Sequence, residues 1–269
     1  TNSSGTTFGA AVTADSFTQA AGTGTTAFNG LITLTNAFDF TGSALQINGV
    51  GANAVGTTMD VTNAGLFTLA VGANLTVGND FTQDGAGLNS IGGDITSTND
   101  GIAFATGVTL TNDVTMTSGG GAGDDILFSG AIAGGANDLH LDAGNDGAIT
   151  VVGAVTNVAT LEVVNSNTAT FQGTVGTTLL PITTVLLTDT TDLVSFQNNT
   201  YINTLTTTAN PYSVEFTGSE TIVTTDTDFQ NTGAFVRFGN QVTDVTTFTG
   251  GLDTAAVTRP DATLVSGTL

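Results

Sequence analysis

A short apolar pattern recurs at nearly regular intervals along most of this chain. Each copy has a small or branched apolar residue, a large apolar residue two positions later, and usually glycine or asparagine two positions after that. The central residues of the copies are Phe104, Phe128, Val151, Phe171, Phe196, Phe216 and Phe238. A strand about every 20 residues, with no helical pattern between copies, is typical of a solenoid in which each repeat packs on its neighbours.

An earlier series of apolar residues, Phe8, Phe28, Ile47 and Phe67, has a similar spacing. We expect this series to continue the same ladder in a looser form. The pattern is least clear between Leu69 and Asp100, where the apolar residues are unevenly spaced. We expect that segment to belong to the same solenoid and to contain a longer loop.

Within each repeat, apolar and polar residues alternate at period two and are separated by turns rich in glycine, asparagine and aspartate. In residues 126–132 the alternation places Ile126, Phe128 and Ile132 inside, and Leu127 and Ser129 outside. The repeats vary in length, which does not fit the strict hexapeptide rhythm of a left-handed helix. The sequence therefore predicts an all-β fold, a right-handed parallel β-helix (β-solenoid) of about 12 coils and about 55–60 Å in length.

No change of composition along the chain marks a domain boundary, so we expect residues 1–269 to form a single β-solenoid domain. Neither end carries an amphipathic helix that could cover the apolar interior of a terminal coil. The chain is therefore expected to be an excerpt of a longer protein or one subunit of a fibre. In the second case its ends would stack on other copies and build filaments.

The charge balance excludes two classes of partner. The chain has 23 acidic residues and two basic ones, Arg237 and Arg259, for a net charge of −21. Binding to nucleic acid and attraction to anionic membrane surfaces both depend on lysine and arginine, so neither is expected. No apolar run approaches the roughly 20 residues that span a bilayer, and membrane insertion is not expected. With no cysteine, the fold must rely on burial and backbone hydrogen bonds.

One segment matches a calcium-binding motif. Residues 120–128 fit the nonapeptide G-G-x-G-x-D-x-U-x of calcium-binding β-rolls, in which carboxylates and turn carbonyls supply oxygen ligands. Asp146 lies about one coil beyond Asp124 and Asp125, so the three side chains would superpose at one corner. They are the candidate metal ligands, for calcium. Because only one full copy of the motif is present, a glycine-rich turn with solvated aspartates is the alternative.

Candidates for catalysis are few. His140, the only histidine, lies between Leu139 and Leu141, and the alternation therefore points it outward. With two arginines and no lysine, the chain has little with which to build the cationic site of a polysaccharide lyase.

Paired carboxylates of the kind used by glycoside hydrolases are present as Asp226/Asp228 and Asp189/Asp192. Both pairs fall in threonine-rich turn segments, and the chain has no tryptophan and two tyrosines with which to form a sugar platform. We therefore expect no enzymatic activity. Carbohydrate binding or processing is the alternative function.

A threonine cluster around Leu205, formed by Thr204, Thr206, Thr207 and Thr208, raises the possibility of ice binding. That function requires a flat, regular face of Thr-x-Thr rows. The irregular repeat lengths argue against it.

Several segments, among them residues 126–132 (ILFSGAI), 139–147 (LHLDAGNDG) and 169–175 (ATFQGTV), resemble the repeat regions of filamentous-haemagglutinin-like bacterial surface proteins. The resemblance covers most of residues 100–250 and, more loosely, the remainder. It implies a right-handed β-helix displayed outside the cell, in adhesion or as a fibre. We therefore expect an extracellular or cell-surface structural solenoid, a segment of a fibre, stalk or adhesin, with other copies or surface glycans as partners.

Overall fold

A computed structural model describes residues 5–233, 235–253, 261–264 and 268, with the backbone alone for residues 261–264. The described residues form a right-handed parallel β-solenoid with three sheets along its length. Two sheets have 12 strands each, and successive strands of a sheet belong to successive coils, so the chain makes about 11 turns. The 12 stacked strands of sheets 2 and 3, separated by 11 steps, agree with the predicted right-handed β-helix of about 12 coils.

The strands of each sheet lie side by side in the order in which the chain visits them. Sheet 1 contains Thr6–Phe8, Thr25–Phe28, Ala44–Ile47, Phe67–Leu69, Asn89–Ile91, Val108–Leu110, Ile132–Ala133 and Val155–Thr156. Sheet 2 contains Val12–Ala14, Ile32–Leu34, Gly51–Val55, Ala73–Val77, Ile95–Ser97, Val114–Thr117, Leu139–Asp142, Thr160–Asn165, Ile182–Leu187, Thr200–Thr207, Glu220–Val223 and Val245–Phe248. Sheet 3 contains Phe17–Gln19, Phe38–Gly42, Met59–Asn63, Phe81–Gln83, Ile102–Phe104, Ile126–Phe128, Ala148–Val151, Thr168–Phe171, Leu193–Phe196, Ser213–Phe216, Phe235–Phe238 and Asp261–Leu264. A short pair, Thr227–Asp228 and Leu252–Asp253, lies beside them.

The ladder predicted from Phe104 onward is confirmed residue by residue in sheet 3. Phe104 pairs with Phe128, Phe128 with Val151, and Val151 with Phe171. The register continues through Phe196 and Phe216 to Phe238. All of these side chains are buried, and most of the rings stack on the ring of the next coil.

The earlier apolar series belongs to a different sheet, so its assignment to the same ladder is wrong. Phe8, Phe28 and Ile47 are register partners in sheet 1, and the next partner of Ile47 is Leu69. Phe67 pairs instead with Leu45. Two ladders in different sheets have the same period because each coil contributes one strand to each sheet, and spacing alone does not tell the sheets apart.

The segment from Leu69 to Asp100 contains no longer loop, contrary to the prediction. Leu75 pairs with Ile95 and Phe81 with Ile102, so the coils here are no longer than those elsewhere. The apolar pattern is broken here because polar side chains occupy inward positions. Gln83, Asn89 and Ser97 are all buried, at 1% exposure each.

Glycine ends many repeats because neighbouring coils approach too closely there for a side chain. A Cβ atom at Gly153 would lie 2.4 Å from the backbone nitrogen of Ala131 and from the carbonyl of Gly130. A Cβ atom at Gly173 would lie 2.3 Å from the carbonyl carbon and oxygen of Gly153. These glycines form a column at the bend that leaves sheet 3, where the backbones of successive coils are in contact.

The coils change shape toward the C-terminal half. Sheet 1 ends at Val155–Thr156 and is continued only by single bridges from Val175 to Val155 and to Thr200. The strands of sheet 2 lengthen in the same coils, to eight residues in Thr200–Thr207. By length and apolar character, no helix that could cross a bilayer occurs in the described part of the chain.

Candidate functional site

Three aspartates, on successive coils, tie one coil to the next at the start of sheet 2. The Oδ1 atom of Asp94 accepts a hydrogen bond from the Thr115 N–H at 2.8 Å. One and two coils further on, Asp113 accepts from the Asp138 N–H at 2.9 Å and Asp138 accepts from the Thr160 N–H at 2.8 Å. Hydrogen bonds from a backbone amide to an ionised carboxylate are among the stronger ones in proteins. Part of the acidic charge therefore stabilises the stacking of coils.

The residues of the predicted calcium corner lie on two neighbouring coils, and two of their carboxylates accept hydrogen bonds from backbone amides. The Oδ2 atom of Asp124 accepts from the Gly121 N–H at 2.6 Å, within its own turn. The Oδ1 atom of Asp125 accepts from the Ala148 N–H of the next coil at 2.8 Å. Asp146 lies in the exposed turn that precedes Ala148. Within the described residues, no three acidic, histidine or cysteine side chains are grouped closely enough to hold a metal ion.

At sheet 3, aspartates from successive coils lie next to each other in two places. Asp60 is the register partner of Asp39 on the outer surface of this sheet. Burial, followed by the charges of Asp39 and Asp84, raises the pKa of Asp60 above its ordinary value of 3.8. Burial, and then the neighbouring Asp100 carboxyl, raises the pKa of Asp80 in the same direction. Sequence reasoning missed these pairs because their members lie on successive coils, a full repeat apart in the chain.

Among the described residues, two close contacts join a basic side chain to an acidic one, and both are between register partners. His140, predicted to point outward, is partly exposed, and its Nδ1 atom lies 2.6 Å from Oε2 of Glu162. The other carboxylate oxygen of Glu162 accepts from Thr188 Oγ1 at 2.6 Å. Arg237 lies 3.5 Å from Glu215 and over the ring of Phe235. Arg259, the other basic residue, lies outside the described residues.

Of the predicted carboxylate pairs, Asp189, Asp192 and Asp226 lie between strands, and Asp228 ends the short strand Thr227–Asp228. Asp228 accepts a hydrogen bond from the side chain of Gln230. Asp226 lies against the turn at Gly251, where a Cβ atom would be 3.1 Å from its Oδ1. In the other pair, the backbone N–H of Asp192 donates to the Asn167 carbonyl, and the Asp189 carbonyl accepts from Thr190. The expectation of no enzymatic activity stays a prediction.

The threonine cluster does not form a regular face. Thr204 and Thr206 point outward on either side of buried Leu205, whereas Thr207 is buried. On the preceding coil their partners are Thr184 and Leu186, so the Thr-x-Thr row is not repeated.

A groove of about 670 Å³ crosses four successive coils at the corner between sheets 3 and 1. Its lining consists of alanine, glycine, serine, threonine and asparagine, with Gly22, Gly42, Asn63 and Gly85 on successive coils. Aromatic side chains and paired acids, which would favour carbohydrate binding, do not line it.

A buried amide network lies beneath this groove. The Nε2 atom of Gln83 donates to Asn63 Oδ1 at 2.8 Å, and its Oε1 atom accepts from Asn89 Nδ2 at 3.1 Å. The hydroxyl of Thr106 donates to the same Oε1 atom at 3.1 Å. Side chains of three coils are thereby joined inside the solenoid, and Asn89 Oδ1 is the atom of this network that has no hydrogen-bond partner. Sequence reasoning missed this network because it requires the register.

The first described coil leaves apolar side chains partly exposed at its end. Phe8, Val12 and Phe17 are only partly buried although they belong to the core ladders. The ring of Phe8 stacks on that of Phe28 with centroids 4.6 Å apart, and that of Phe17 lies 4.8 Å from that of Phe38. The strands Val12–Ala14 and Phe17–Gln19 stand at the edges of their sheets among the described strands.

Comparisons with protein-family models, curated proteins and solved structures find no match to this chain.

Proposed function

We propose that this chain is a structural β-solenoid of an extracellular or cell-surface fibre, stalk or adhesin, similar to filamentous-haemagglutinin-like proteins. The observation that carries the proposal is the open first coil, with Phe8, Val12 and Phe17 partly exposed above a continuous core ladder. A further coil placed on this end would bury the three side chains and pair the strand edges beneath it. That coil belongs either to a longer chain or to another copy.

The remaining geometry supports a mechanical role. Sheets 2 and 3 run along the molecule without a break in sequence order, sheet 1 does so over its eight strands, and neighbouring coils are joined by backbone hydrogen bonds. Side-chain ladders and aspartate-to-amide bonds add further contacts between the same coils. A stalk built in this way resists extension along its axis, because pulling it apart breaks many parallel hydrogen bonds at once.

The test compares end-to-end association of the wild-type chain, Phe17→Glu and a matched control, Thr18→Glu. Both variants add one negative charge at neighbouring positions, but Phe17 faces the open interior and Thr18 is exposed on the outside. We expect negative-stain electron micrographs to show rods longer than one subunit for wild type and Thr18→Glu, and single rods for Phe17→Glu. Val12→Lys tests the same end through sheet 2, and circular dichroism checks folding. Single rods at all concentrations for wild type, or equal behaviour of the two glutamate variants, would contradict stacking of copies.

A further inference from the structure

The charged residues are absent from one side of the solenoid. All eight strands of sheet 1 lie in segments with no charged side chain, which are residues 5–14, 16–38, 40–59, 61–79, 85–93, 101–112, 126–137 and 147–161. Every aspartate between residues 5 and 161 lies outside these segments, on sheet 2, on sheet 3 or in turns. Four of these turns, which contain Asp84, Asp94, Asp113 and Asp138, also adjoin sheet 1. A chain with a net charge of −21 therefore has an uncharged face about eight coils long.

This face carries mostly small side chains in one continuous column. The outward positions of sheet 1 run in register from Thr7 through Gln46, Thr68, Ser90 and Thr109 to Thr156, and the two remaining rungs are Ala133, which is exposed, and Ala27, which is buried. A surface of short side chains on a regular sheet lets another sheet approach closely, at about 10 Å between backbones.

Exposed aliphatic side chains border the column on both sides. Leu31, Val50 and Val71 follow three successive strands of sheet 1 and are 37%, 72% and 53% exposed. Leu66 and Leu88 precede two of the strands on the opposite border and are 46% and 61% exposed. Exposed aliphatic side chains on a surface that carries no charge are a feature of surfaces that become buried in an interface.

The dimensions of this face suit a protein interface. Eight strands at about 4.8 Å give a length of about 35 Å, and the stretch from Leu66 to Val71 spans at most about 20 Å. The product is roughly 700 Å², close to the ~800 Å² that each partner buries in an interface of standard size.

We propose that the sheet 1 face binds a second copy of this chain side by side. The charge distribution favours this occupant, because two chains of net charge −21 approach most easily when their carboxylates lie on the far sides. Face-to-face pairing of sheet 1 leaves the paired strands free of carboxylates, which lie in the flanking turns and on the other two sheets, and a twofold axis makes the same patch serve both partners. The inference goes beyond the proposed function, since stacking at the coil ends uses different residues and another direction.

The first experiment places charge on the face and, as a control, off it. Thr68→Glu/Thr109→Glu adds two carboxylates to the sheet 1 column, and Thr76→Glu/Thr96→Glu adds two to outward positions of sheet 2. In sedimentation velocity we expect wild type and the sheet 2 variant to dimerise, more strongly at higher salt because screening weakens the repulsion. The sheet 1 variant should have a Kd at least tenfold higher. A wild type that stays monomeric at every concentration and salt, or equal weakening by both variants, would overturn the proposal.

The second experiment uses the absence of cysteine in the chain. Ser90→Cys lies near the middle of the sheet 1 column, and Thr96→Cys on sheet 2 is its control. We expect oxidation to cross-link Ser90→Cys into a dimer and to leave Thr96→Cys monomeric. The same measurement on Ser90→Cys/Phe17→Glu separates this proposal from end-to-end stacking. Side-by-side dimers that persist in the double variant would support binding through the sheet 1 face, even if no filaments form. Loss of cross-linking in the double variant would contradict the proposal. Equal cross-linking of Ser90→Cys and Thr96→Cys would also contradict it.

Discussion

The phenyl rings of Phe171 and Phe196 stack with centroids 5.0 Å apart and planes 9° apart, although they belong to different coils of the chain. Both side chains are fully buried at paired positions of sheet 3. We expect Phe196→Ala to lower the free energy of unfolding by about 3–5 kcal/mol, because it removes a stacked ring and leaves a cavity. The adjacent Gln197 is exposed, and Gln197→Ala should change stability by less than about 0.5 kcal/mol. Equal losses in denaturant unfolding would show that this ladder does not carry the core.

Removal of the charge from Asp60 should stabilise the fold at neutral pH. The pKa of Asp60 is raised in the folded chain, so the folded state binds more protons than the unfolded state at and just above pH 3.8. The stability that this group contributes is full below its unfolded pKa and is lost as the pH rises through its folded pKa. We expect the Tm of Asp60→Asn to exceed that of wild type at pH 7 and to match it near pH 3. Asp113→Asn removes a charge that faces a backbone amide and should give no such gain.

The buried amide network should depend on Gln83. Gln83→Leu leaves Asn63 Oδ1 without its buried donor, and an unsatisfied buried polar group costs about 1–3 kcal/mol. Asn89 Nδ2 also loses Gln83 but keeps Thr106 Oγ1 and the Gly107 carbonyl as acceptors. We expect a loss of about 1–3 kcal/mol in urea unfolding, from this one unsatisfied oxygen. Gln172→Leu, at an exposed position, is the control for the change of side chain and should be nearly neutral. A neutral Gln83→Leu would mean that the neighbouring amides find other partners.

The calcium hypothesis for Asp124, Asp125 and Asp146 is tested by comparing salts. If these residues bind calcium, millimolar calcium chloride should raise the Tm more than sodium chloride of equal ionic strength. Asp125→Asn/Asp146→Asn should abolish the difference, while Asp15→Asn, in a turn of the first coil, should preserve it. Equal responses to the two salts would assign the effect to general screening of the acidic coils.

Side-chain alternation and a nearly constant period were sufficient to predict the solenoid and the inward ladder from Phe104 to Phe238. Both signals follow from local geometry, since strand residues alternate between faces and each coil must bring an apolar residue back to the same place. The outward positions of His140, Gln172 and Gln197 could be predicted for the same reason. The absence of charge around sheet 1 was also present in the sequence, but its meaning depended on where the three sheets lie.

The tertiary structure alone decided which coil positions meet. It assigned Phe8 and Phe28 to sheet 1 rather than sheet 3, and placed Gln83 and Asn89 inside the solenoid. It also brought Asp39 next to Asp60. The physical reason is that coil length varies by several residues, so a separation of about one repeat in sequence does not specify a neighbour. The hydrogen-bonded register between coils specifies which residues of successive repeats are neighbours. The buried amide network, the acidic pairs and the uncharged face all follow from that register.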